Sequence, residues 1–196
     1  MPVVPFEALP DESRLWVFGV ERTLTEAERD SFLSAVDLFL ETWVAHGIPL
    51  TCGRDWRWGR FLLVAVDEAS APPSGFSIDA MVCVLRDQEH RLGMRVLDNT
   101  PVWFVANGEV RRISRTGFGR LAEEGAVGPN MVVFNHTVTR LKDACSGRWE
   151  GPVRERAGTK GRSSSPRGSI RPFSLEAKVP RPLAEVFRRI EFDQAP

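Results

Sequence analysis

Residues 61–66 read Phe-Leu-Leu-Val-Ala-Val, an unbroken apolar run that ends in Asp67-Glu68. An apolar run of this length between turn signals fits a buried β-strand. It constrains the fold more than any other segment, because six consecutive apolar residues need a core built around them.

The same run resembles the second nucleotide motif of an ATPase, where a strand-end Asp holds Mg²⁺ and a Glu activates water. That chemistry requires a phosphate loop, Gly-x-x-x-x-Gly-Lys-Ser/Thr, whose backbone amides cradle phosphates while the Lys neutralises them. The three lysines of this chain, Lys142, Lys160 and Lys178, follow Leu141, Thr159 and Ala177, and none follows a glycine. Without that loop Asp67 has no Mg-nucleotide to hold. Residues 61–68 therefore read as a strand running into an acidic turn, and the chain is not a P-loop ATPase.

Around this strand the pattern alternates. Residues 14–20 read as a buried strand. Thr25-Glu26-Ala27-Glu28 forms a capping box. Phe32, Ala35, Val36, Phe39, Leu40, Trp43 and Val44 then recur on one helical face. The pattern predicts a helix over 26–46, with His46 in its last turn, Gly47 as its cap and Pro49 blocking continuation. Residues 50–57 and 60–67 read as strands. A second helix starts near Ser77, buries Ile78, Met81, Val82, Leu85 and Leu92, and stops at Gly93. A fourth strand covers 101–106. Asn107-Gly108 turns it into a hairpin with 109–114, since both residues tolerate positive φ. A short helix follows over 117–125, an apolar strand over 131–134 and a helical segment over 136–145.

This order predicts an α+β fold with a ferredoxin-like β-α-β-β-α-β core. The sheet is mainly antiparallel with the helices on one face, and a hairpin and a C-terminal strand are added. Residues 1–150 read as a single globular domain. Residues 1–150 carry 16 Lys+Arg against 21 Asp+Glu, whereas 151–196 carry 10 against 5. The latter segment, with Gly158-Thr-Lys-Gly-Arg-Ser-Ser-Ser-Pro-Arg-Gly-Ser169, reads as a basic, disordered tail with a short helix near 182–192. Arg outnumbers Lys, which fits a GC-rich genome as readily as a nucleic-acid role. Only weak phosphate contact through the tail is expected.

No apolar stretch reaches the ~18–20 residues that cross a bilayer. The N-terminus, Met-Pro-Val-Val-Pro-Phe-Glu, lacks the pattern of a secretory signal. The expectation is a cytoplasmic protein without membrane association. Cys52, Cys83 and Cys145 are odd in number and widely spaced, so neither a disulfide framework nor a thiolate metal site is expected. Cys83 reads as a small apolar helix residue. His46, His90 and His136 show no paired ligand spacing. No metal and no cofactor are implied.

Several residues can be read as chemistry or as structure. Ser74, Gly75 and Ser77 enter the second helix, whose N-terminus can hold an anion, and Arg60 adds a cation. Against this, Ser77 can cap the helix while Asp79 supports its dipole. Asp67 and Asp79 can converge as an acid–base pair, and Arg60 can pair with either. Turn and cap roles explain both carboxylates as well. His46 can act as a base or can bond a helix-end carbonyl. Trp56 and Trp58 share a face on a strand, where they can stack on a ligand or cover the sheet.

Certain blocks resemble a family of small, uncharacterised bacterial proteins commonly labelled "ABC transporter ATPase". They are Leu9-Pro10 with Arg14-Leu-Trp16, Trp43-Val-Ala-His46-Gly47, Arg60-Phe61, Asp67 with Ser70, Ser74-Gly75-Phe76-Ser77-Ile78-Asp79, and Pro129-Asn130 with Val133-Phe134-Asn135. The resemblance covers 5–153 and implies no established function. The family usually has Cys where this chain has Phe76, which reads as a packing position. It also usually continues after Trp-x-x-Pro into Ser-Trp-x-x-Arg-Phe, whereas Trp149-Glu-Gly-Pro152 here runs into Val-Arg-Glu-Arg-Ala. Residues from about 156 onward read as a shifted reading frame or a recent extension.

The sequence thus predicts a protein of unknown function that works as a non-enzymatic binding or interaction module. Its partner is an anionic small molecule, another protein or a second copy in a homodimer. The alternative is a small enzyme acting on a phosphorylated or carboxylated metabolite at the 74–79 loop.

Overall fold

The computed structural model describes residues 3–153. The expected tail helix near 182–192 and the segment from about 156 lie outside the described residues. The fold is α+β with antiparallel sheets. The described residues fall into two compact units, 3–100 with Asn135–Glu150, and Pro101–Phe134 with 151–153.

In the first unit, β1 (Arg14–Gly19), β4 (Cys52–Arg57) and β5 (Phe61–Val66) form a sheet in the order β1-β5-β4. β5 is antiparallel to both neighbours, with Val66 opposite Arg14 on one side and Cys52 on the other. The two helices, α1 (Glu26–Glu41) and α2 (Gly75–Leu92), cover one face. There Phe32, Val36 and Leu40 of α1 and Met81 and Leu85 of α2 pack with Phe18, Leu62, Val64 and Val66. The opposite face is buried as well. Phe61 meets the rings of His136 and Trp149 edge-on, and Arg57 lies over the rings of Phe6 and Trp149. Burial on both faces explains why 61–66 shows no polar alternation.

The N-terminal segment crosses the edge of β4. Val3 bridges Cys52, and the Val4 N–H donates to the Cys52 carbonyl at 2.9 Å. A Cβ on Gly53 would lie 2.6 Å from the Val4 carbonyl oxygen, so only glycine admits this approach.

Several boundaries differ from the sequence expectation. α1 begins at the capping box, where Thr25 and Glu28 make both reciprocal bonds, but ends at Glu41 instead of residue 46. Thr42 donates its hydroxyl back to the Phe39 carbonyl at 3.2 Å. The chain then forms a hairpin of β2 (Val44–Ala45) and β3 (Ile48–Pro49), turned by His46 and Gly47 at φ 51° and 77°. Gly47 is thus a turn residue, not a helix cap. Positive φ at both central positions suits a two-residue hairpin turn. The exchange of helix for strand seats the Trp43 indole in the core.

α2 starts at Gly75, capped by Ser74, two residues before the expected start near Ser77. Gly93 stops it in the left-handed conformation, as expected. Between Asn135 and Arg140 the chain is not helical. Asn135 accepts from the N–H and hydroxyl of Thr137, and the helix α4 covers only Leu141–Cys145.

In the second unit, β6 (Val102–Ala106) pairs with β7 (Glu109–Ile113) across the Asn107-Gly108 turn and with β8 (Val132–Phe134) on its other side. With β9 (Glu150–Pro152) the order is β7-β6-β8-β9. The strand at 101–106 therefore belongs to a second sheet and does not close the first. The outer edge of β1 instead receives an isolated bridge, Arg14 to Arg140, and the Glu21 N–H donates to the Arg95 carbonyl. α3 (Arg115–Glu123) starts at the Ser114 cap, and Gly117 and Leu121 are buried.

Candidate functional site

The strand β5 delivers Asp67 and Glu68 to one end of the sheet, where the Asp67 N–H donates to the Thr51 carbonyl at 2.9 Å. The Asp67 carboxylate accepts from the Ser70 hydroxyl at 2.6 Å and from the Ala69 N–H at 3.0 Å. This closes a turn of the Asx type. The Ser70 hydroxyl, with help from the Ala69 and Ser70 amides, holds this carboxyl below its usual range. Such a carboxylate is a poorer base than a free one.

Glu68 sits between two guanidinium groups. Arg140 lies 2.6 Å away and Arg14 3.5 Å away. Arg140 also donates to the Glu12 carbonyl at 2.9 Å. The Glu68 carboxylate thus ties the end of β5 to β1 and to the segment before α4. These two pairs occupy the side chain that the nucleotide motif would aim at water.

The loop into α2 is closed by its own hydroxyls. Ser74 Oγ accepts from the Ser77 N–H at 3.2 Å, and Ser77 Oγ donates to the Ser74 carbonyl at 2.8 Å. The cap is therefore Ser74, and Ser77 is buried beneath it. Nothing lies within 4 Å of a Cβ built on Gly75. Asp79 is exposed on the second turn, so the first turn of α2 carries no acidic residue. Phe76 is 88% exposed, which overturns its reading as a packing position.

The hairpin joins this end. Trp43 Nε1 donates to the Ser77 carbonyl at 2.8 Å, and β2 packs against α2. His46 is exposed at the tip of the hairpin, not in the last turn of a helix. Arg60 stands apart. It precedes β5, whereas Asp67 follows it, so the two are roughly 23 Å apart along an extended strand. Its guanidinium donates to the carbonyls of Val20 at 2.8 Å and Glu21 at 2.6 Å. The strand length separates Arg60 from Ser74, Gly75 and Ser77, and it cannot pair with Asp67.

The tryptophans also divide. Trp56 packs edge-on against Phe32 of α1, whereas Trp58 occupies the β4–β5 turn at φ 56° and donates Nε1 to Glu150 at 2.5 Å. They do not share a face. Cys52 is buried and its thiol is pushed up to about 12, so it is protonated at neutral pH. Cys83 lies within α2, as its helical reading expects, and is exposed there. Among the described residues no group of three or more His, Cys, Asp or Glu is placed to hold a metal. No described helix is long and apolar enough to cross a membrane.

The apolar side chains of this end carry no catalytic or ligand-binding motif in the sequence. Val44 is 47% exposed and Ile48 55% on the hairpin, and Phe76 is exposed on the first turn of α2. A sequence signal for them exists. Residues 42–53 and 69–78 contain no Lys, Arg, Asp or Glu in a chain that is 27% charged. Charge depletion with exposed aromatic and aliphatic side chains is the compositional mark of an interface core.

Comparison with family models, with curated proteins and with solved structures found no match to this chain.

Proposed function

We propose that this chain is a non-enzymatic interaction module of the cytoplasm that contacts another protein through the hairpin and the first turn of α2. The observation that carries this reading is the exposure of Val44, Ile48 and Phe76 on two touching, charge-free segments. Pro49 supports contact through side chains in place of strand addition, because it removes an N–H from the short strand β3. The polar residues of this end favour the same reading. Asp67 closes a turn, Glu68 joins two arginines, and Ser74 and Ser77 bond each other.

Against an enzyme acting on a phosphorylated or carboxylated metabolite stands the position of Arg60 at the far end of β5, which leaves the 74–79 loop without its expected cation. The label "ABC transporter ATPase", borne by the family that the chain resembles, finds no phosphate loop to act with.

The test is photo-cross-linking of the full chain in a cell extract, with a photoreactive phenylalanine analogue at position 76. Discrete protein adducts are expected, and Ile48→Asp should remove them while changing stability by no more than about 0.5 kcal/mol, as for an exposed site. Adducts indifferent to Ile48→Asp, or saturable binding and turnover of a phosphorylated metabolite at this end, would contradict the reading.

A further inference from the structure

No further inference is drawn: the strongest candidate, the exposed apolar side chains Val44 and Ile48 of the hairpin and Phe76 on the first turn of α2, belongs to the surface already described, and nothing in the structure shows what covers it.

Discussion

The indole N–H of Trp43 donates a 2.8 Å hydrogen bond to the main-chain carbonyl of Ser77 and so pins the hairpin to the first turn of α2. The bond is buried, and the Trp43 ring also packs against Trp16 and Phe39. Trp43→Phe keeps most of the apolar bulk and removes the donor. A loss of about 1–2 kcal/mol in urea unfolding is expected, from one buried bond and a small packing defect. Hydrogen exchange should rise at 44–48 ahead of the rest of the first unit. Unchanged exchange there would separate the hairpin from this bond.

Gly53 supplies a second test. A methyl group there meets the Val4 carbonyl at 2.6 Å, and that oxygen belongs to backbone and not to a flexible side chain. Gly53→Ala should therefore lift the N-terminal segment off β4, at a cost of about 1–3 kcal/mol. Limited proteolysis within residues 3–13 should accelerate in the variant. Equal cleavage rates in both proteins would show that the segment is not held by this contact.

His136 makes stability depend on pH. Burial lowers its pKa from 6.5 to about 4, so the folded state holds it neutral where the unfolded chain protonates. The stabilisation is complete above pH 6.5 and is lost as pH falls from 6.5 towards about 4. At pH 5 the expected loss from this group is about 2 kcal/mol relative to pH 7.5. Glu28, held at about 2 chiefly by Arg22, releases its contribution only in more acid solution. Urea titrations of the protein and of His136→Phe across pH 4.5–7.5 should show the slope in the former and a much flatter profile in the latter. Parallel profiles would remove His136 as the cause.

These features differ in how far the sequence reveals them. The start of α1 is legible because its capping box is local, and Thr25 and Glu28 form the expected bonds. The Asn107-Gly108 turn is legible for the same reason. The end of α1 is not, because Trp43 and Val44 continue the apolar period of the helix. Their departure into a hairpin depends on Ser77, 34 residues away from Trp43. Nor does the order of strands reveal that β6 joins β7 and β8, since local pattern does not choose among sheet partners. At the site, the ambiguity of Glu68 has the same origin. Its role is set by Arg140, 72 residues further on. The charge-free segments 42–53 and 69–78 are visible in the sequence alone, but only the fold brings them together.

Asp67 and Glu68 are both engaged in structural bonds, the one to Ser70 and Ala69 and the other to Arg140 and Arg14. Steady-state turnover of Mg-ATP by the purified full chain, measured beside Asp67→Asn, separates these structural roles from hydrolytic ones. No turnover above background is expected in either protein. A stability loss of about 1 kcal/mol is expected in the variant, from weakened bonds to Ser70 and Ala69. Turnover that Asp67→Asn abolishes while leaving stability unchanged would instead make Asp67 hydrolytic machinery.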